Sequence, residues 1–250
     1  YQTGSKILDF LSKEADILII GKILGAEVLG LYSLTKQIVL KLYALINPIV
    51  VNVLSPILST IQHDSARLKS SFLKTIKYLS FINFPIYLII VVLSGEILQI
   101  LYGDQYVEGS IILSLLAISY CLMAISNPVG SLQIATGRTD IGFLWTIIRV
   151  LVTPLFIYLG ALYNINGVAF AHASLSLILL VPLWLIQLKP MAKINLKHYL
   201  NQFYKPLILF LILCILSVFK NDLLAFQSLM ISIILKTMIF IILFLGILFL

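Results

Sequence analysis

The chain has 250 residues, 61% of them hydrophobic and 11% charged, with a formal net charge of +7 and a mean hydropathy of +1.10. Soluble domains carry roughly a quarter charged residues, and a chain of this length has no fold that hides so much apolar surface from water. An ordinary soluble domain is therefore excluded, and the basic excess follows membrane topology, which leaves no reason to expect nucleic acid as a partner.

A membrane span needs about 20 mainly apolar residues. The first candidate, about Ile7 to Leu24, is the weakest because it holds Lys13, Glu14 and Asp16. Gly25 to Glu27 reads as a tight turn into a long second span, about Leu29 to Leu54, which carries Lys36, Lys41, Asn47, Pro48 and Asn52. The polar stretch IQHDSARLKSSFLKTIKY follows, with Leu68, Phe72 and Ile76 at i, i+4 spacing. That spacing predicts an amphipathic helix on the membrane face, leading into a third span at about Tyr78 to Leu93.

Gly95 to Glu108 reads as an acidic loop with no basic residue. The fourth span covers about Ile111 to Ile134, with a break at Asn127-Pro128. ATGRTD is a short loop, and the fifth span, about Ile141 to Leu162, contains Arg149 and Pro154. Asn164 to Gly167 turns the chain into a sixth span ending near Leu188. A basic connector, KPMAKINLKHYLNQFYK, precedes two further spans at about Pro206 to Phe219 and Leu229 to Leu250, the last holding Lys236.

Alternate loops of this scheme carry Arg67, Lys69, Lys74 and Lys77, then Arg138, then Lys189, Lys193 and Lys197, while the intervening loops are nearly free of basic residues. The positive-inside rule then places both ends and the basic loops in the cytoplasm. The expected fold class is an all-α integral membrane protein with about eight transmembrane helices. A six-helix bundle over residues 1–188 is followed, over 189–250, by the basic connector and two additional helices. Because the chain opens on Tyr1, with no signal segment after it, it reads as a piece of a longer protein.

Charge at membrane depth costs several kcal/mol unless it faces a partner or a cavity, so it marks candidate function. Lys13, Glu14, Asp16, Lys22, Glu27, Lys36 and Lys41 cluster around the first turn. Lys41 lies mid-span with Gln37 one turn away, and Arg149 is mid-way along the fifth span. The expected site is a water-filled, net-cationic cavity formed where these helices meet, with Lys41, Arg149, Lys13, Glu14 and Asp16 as candidates for binding an anionic substrate. Beside it stands a structural reading: Lys13 and Asp16, at i, i+3, form a pair, while Lys22 and Lys36 snorkel to an interface.

Gly21 and Gly25 form a G-x-x-x-G, read as helix packing. Pro48, Pro85, Pro128 and Pro154 are read as breaks in four spans, a feature that recurs in transporters. His172, inside the sixth span, is a weak proton-relay candidate. Cys121 and Cys214 read as small core residues without metal or redox spacing. No metal, cofactor or nucleophile motif is present, and no enzyme is indicated.

The stretch DILIIGKILGAEVLGLYSLTKQI resembles the start of the second half of bacterial polysaccharide exporters. These are the Wzx-type flippases of O-antigen, capsule and exopolysaccharide repeat units, within the multidrug/oligosaccharidyl-lipid/polysaccharide superfamily. Ser55-Pro56, LYGDQY at 101–106, QIATGRTD at 133–140 and INGVAFA at 165–171 follow in the expected order. Asp16, Gly21, Gly25, Gly30, Gly103, Gly137 and Gly167 stand at the family's landmark positions.

The resemblance covers about residues 1–188. It implies two six-helix bundles around a central cavity, of which the N-terminal one is missing here. It also implies an undecaprenyl-diphosphate-linked oligosaccharide as substrate, flipped across the bacterial cytoplasmic (inner) membrane among membrane lipids, with a polysaccharide polymerase as a further partner. The alternatives are a cation-coupled efflux carrier of the same superfamily, a membrane polymerase or ligase, and a purely structural subunit. The net-basic character at membrane depth argues against the efflux carrier, and the short outer loops lacking catalytic Arg or His argue against the polymerase. Mid-span Lys41 and Arg149 are left unexplained by a structural subunit.

Overall fold

The computed structural model describes residues 14–219 together with 236–238, 242, 244 and 246. Helix is the regular structure throughout, with no strand among the described residues. Five helical stretches are long and apolar enough to cross a membrane, and the protein is a multi-pass all-α membrane protein. The first predicted span is described only from residue 14, and the eighth lies almost wholly outside the described residues.

Helix α1 (residues 14–23) ends at Gly25, whose φ of 89° is a conformation that glycine adopts at little cost. Gly25 is therefore a turn residue. Gly21 lies against α2, the helix that follows the turn: a Cβ there would stand 3.2 Å from a methyl of Leu29, so the first glycine of the G-x-x-x-G serves close packing and the second serves the turn. Helix α2 (Ala26–Thr60) runs 35 residues through Pro48 and Pro56 without interruption. Asp64 then caps α3 (Ser65–Val92), accepting the Arg67 N–H at 2.9 Å. Leu68, Phe72 and Ile76 are buried as their spacing predicts, but on one continuous helix with the third span.

The stretch expected to be an acidic loop is instead α4 (Ser94–Tyr102) followed by a 3-10 turn at Asp104–Gly109. Apolar Ile97 and Leu98 fold it back onto the core, and Glu96 forms a largely buried ion pair with Lys236. Helix α5 (Ser110–Ser126) and α6 (Val129–Thr136) are separated at Asn127-Pro128, the one expected proline break that interrupts a described helix. Pro85 and Pro154 lie inside continuous helices. Helix α7 (Thr139–Ala161) leads to α8, the span Ile165–Ala192, which contains a π-helical turn at Trp184–Leu188. The basic connector forms α9 (Leu196–Leu200), and α10 (Tyr204–Phe219) lies against α3, with Phe84 and Phe210 ring centroids 5.3 Å apart.

Helix α5 is the centre of the bundle, packed by α2, α3 and α8 and buried on nearly every side. Helix α2 is its opposite: only 17% of its membrane window is buried. Hydroxyl and amide contacts join α2 to the α5–α6 break, Ser55 Oγ donating to Ser131 Oγ at 2.8 Å and Tyr43 Oη to Asn127 Oδ1 at 3.4 Å. In an apolar bundle such contacts add to close van der Waals packing.

The closest helix approach is between α7 and α8, where Gly160 and Gly167 face each other backbone to backbone. A Cβ on Gly160 would lie 2.5 Å from the Gly167 carbonyl oxygen. Backbone cannot yield as a side chain can, so Gly160→Val is expected to destabilise the protein by about 1–3 kcal/mol. A thermal unfolding curve of the detergent-solubilised protein would check this; an unchanged midpoint would mean the helices separate freely there.

Candidate functional site

Asp16 is 1% exposed in the middle of this bundle, and every oxygen it carries has a partner. Tyr32 and Lys36, at i, i+4, share one face of α2, and the Gly25 turn lays that face against α1. Tyr32 Oη donates to Asp16 Oδ2 at 2.8 Å. Lys36 Nζ donates to Oδ1 at 2.9 Å and stands 2.8 Å from Oδ2, while the Ile17 N–H donates to Oδ1. Lys36 lies ten residues into α2, about 15 Å along the helix at 1.5 Å per residue, and its side chain is 11% exposed. It does not snorkel. It neutralises Asp16 at membrane depth, a role the sequence reading assigned to Lys13, which lies outside the described residues.

On the far side of Asp16 stands His172 of α8, its Nε2 4.0 Å from Oδ2. The other ring nitrogen faces Ser119 of α5 at 3.4 Å, and Ser119 also meets Ser176 at 2.6 Å and the His172 carbonyl at 3.3 Å. His172 is thus a wall between the ion pair and a cavity of about 320 Å³ that opens within the bundle.

That cavity is lined mainly by α5, α6, α7 and α8, with Tyr43 reaching in from α2. Gly142, Trp145, Thr146, Arg149 and Thr153 repeat at helical spacing and give one face of α7 to it. Gln133 of α6 donates to Gln187 of α8 across it. Two local features make that amide bridge. The π-helical turn, a form frequent at functional sites, carries Gln187, and the absent side chain of Gly142 leaves the space that the Gln133 carboxamide fills.

Arg149 sits ten residues into the 23-residue α7, half-buried, and makes no hydrogen bond or ion pair with a described residue. A guanidinium at this depth holds five N–H donors that no described residue accepts. Such a group is a receptor for an oxyanion.

Residues 1–112 match the family model described as polysaccharide biosynthesis protein. The chain is 30% identical over 211 residues to the teichuronic acid biosynthesis protein TuaB of Bacillus subtilis, covering 84% of this chain and 43% of that protein. It is 33% identical over 155 residues to the amylovoran biosynthesis protein AmsL of Erwinia amylovora (62% and 40%). Against the lipopolysaccharide biosynthesis protein WzxC of Escherichia coli it is 27% identical over 205 residues (82% and 42%).

The chain is similar to bacterial polysaccharide biosynthesis proteins.

It spans less than half the length of these curated relatives. No solved structure matches it.

The candidate residues separate in space. Arg149 lines the cavity; Asp16 is behind its wall, occupied by Tyr32 and Lys36; Glu14 is half-buried on α1 and does not line it. Lys41 is exposed on α2, outside the cavity, on a face shared with Gln37, Pro48 and Asn52. The cavity thus forms within the α5–α8 part of the bundle, and not where the first two spans meet. Sequence reading passed over Tyr32, Gln133 and Gln187 and put Lys36 at an interface. The i, i+4 spacing of Tyr32 and Lys36 opposite a mid-span acid was the available signal; the glutamines had none, because a π turn brings Gln187 round.

Proposed function

We propose that this chain is the C-terminal portion of a flippase that moves undecaprenyl-diphosphate-linked oligosaccharide repeat units across the bacterial cytoplasmic membrane for surface polysaccharide synthesis. The observation that carries the reading is Arg149, a guanidinium without a described partner in a cavity of mixed polar and apolar lining at membrane depth, in a chain similar to polysaccharide biosynthesis proteins. A glycan carries hydroxyls and acidic groups through a membrane only where fixed donors replace its water.

Residues 1–188 form the transporting bundle in this reading, and 189–250 add the connector and two flanking helices, both ends being cytoplasmic. An N-terminal bundle of the same protein covers the exposed face of α2. Support for that comes from Gln37, Lys41 and Asn52, polar groups on a face that would otherwise meet hydrocarbon. A polysaccharide polymerase takes the delivered repeat units on the outer side.

The test is disruption of the full-length gene in its host, with surface polymer and lipid-linked intermediates assayed. Loss of surface polymer with single lipid-linked repeat units accumulating on the cytoplasmic side is the expected result. Normal polymer with reduced resistance to cationic drugs would overturn it in favour of an efflux carrier.

A further inference from the structure

The cavity's volume, charge and lining together specify a narrower ligand than a whole repeat unit. At about 320 Å³ it stands at the lower limit of pockets that hold a drug-sized molecule, roughly 300 Å³. One sugar ring fits, whereas a whole lipid-linked repeat unit does not.

Charge narrows it again. Lys36 and Asp16 neutralise each other behind His172, so among the described residues the Lys or Arg facing the cavity is Arg149. A guanidinium accepts a carboxylate as a two-pronged pair, and one monoanion balances it. A dianionic diphosphate would leave a second charge uncompensated at membrane depth. Beside Arg149 the polar lining includes His172, which faces Asp16, and the amides of Gln133, Gln187 and Asn127 with the hydroxyl of Thr146. Amides donate and accept at once, which is what sugar hydroxyls require. Trp145, one turn before Arg149 on the same face of α7, offers a flat apolar surface beside the guanidinium.

We propose that this cavity is a subsite for a single carboxylate-bearing sugar ring of the glycan. Arg149 reads its charge, and the Gln133–Gln187 bridge and Asn127 read its hydroxyls. The proposal rests on the translocation reading above and names which part of the substrate the bundle itself recognises.

The full-length protein in lipid nanodiscs, titrated with D-glucuronate, D-glucose and methyl phosphate and followed by saturation-transfer NMR, tests it. Glucuronate is expected to bind roughly tenfold or more tighter than glucose, as a charge-assisted pair implies, and methyl phosphate is expected not to displace it. Arg149→Gln should abolish the preference for glucuronate over glucose, while Arg149→Lys, with the charge kept, should retain part of it.

Equal binding of glucose and glucuronate overturns the proposal. Displacement by methyl phosphate also overturns it, and assigns the cavity to a phosphate from the carrier or a lipid headgroup. Failure here with the export defect intact leaves translocation standing and removes only this subsite. Glucuronate selectivity in a strain with normal polymer removes translocation instead.

Discussion

Lys36→Ala is expected to cost this bundle about 3–5 kcal/mol, because it leaves the Asp16 carboxylate charged, buried and without its cation. Tyr32 and the Ile17 N–H would still donate to it, but two neutral hydrogen bonds do not replace an ion pair in a low-dielectric interior. Asp16→Ala should be comparably damaging through the stranded ammonium of Lys36.

The double variant Asp16→Leu/Lys36→Met removes both charges together and is expected to be far less damaging than either single change. Pairs of this kind lose little when both members become apolar. Thermal unfolding in detergent of the unaltered protein, Asp16→Leu, Lys36→Met and the double variant gives the cycle. Additive losses would mean that the contact couples nothing. Lys41→Ala, at an exposed position on α2, is expected to stay within about 0.5 kcal/mol in the same assay.

Arg149→Ala should reduce polymer export by roughly tenfold to a hundredfold, the range of a lost hydrogen bond to a charged group. Complementing the disruption strain with the variant and quantifying surface polymer measures it. Because Arg149 pairs with no described residue, its removal strands no buried partner, and the folded bundle should tolerate it. A variant that exports normally would put substrate recognition elsewhere, with the α2 face carrying Lys41 as the first place to look.

The α1–α2 pair and Arg149 also explain how two mid-membrane cations differ in kind. Lys36 is matched by an acid from the neighbouring helix, and its charge serves the bundle's own assembly. Arg149 faces open volume. Both are cations ten residues into their helices, and the partner separates their roles.

The long apolar helices and the buried stripe of Leu68, Phe72 and Ile76 follow from hydropathy and helical period alone, since lipid imposes apolar length on every crossing helix. The short acidic segment at 95–108 misleads for the same reason: its charge predicts a loop, yet apolar Ile97 and Leu98 dock it as a helix and Lys236 neutralises Glu96.

The sequence by itself determined an all-α membrane protein, its landmark turns, and Asp16 and Arg149 as charges that demand a reason. Tertiary structure decided what each charge does. Spacing along one helix reports which residues share a face, but the helix opposite that face comes from packing around α5. Only there do Lys36 meet Asp16 and Gln187 meet Gln133, and only there does Arg149 line a cavity.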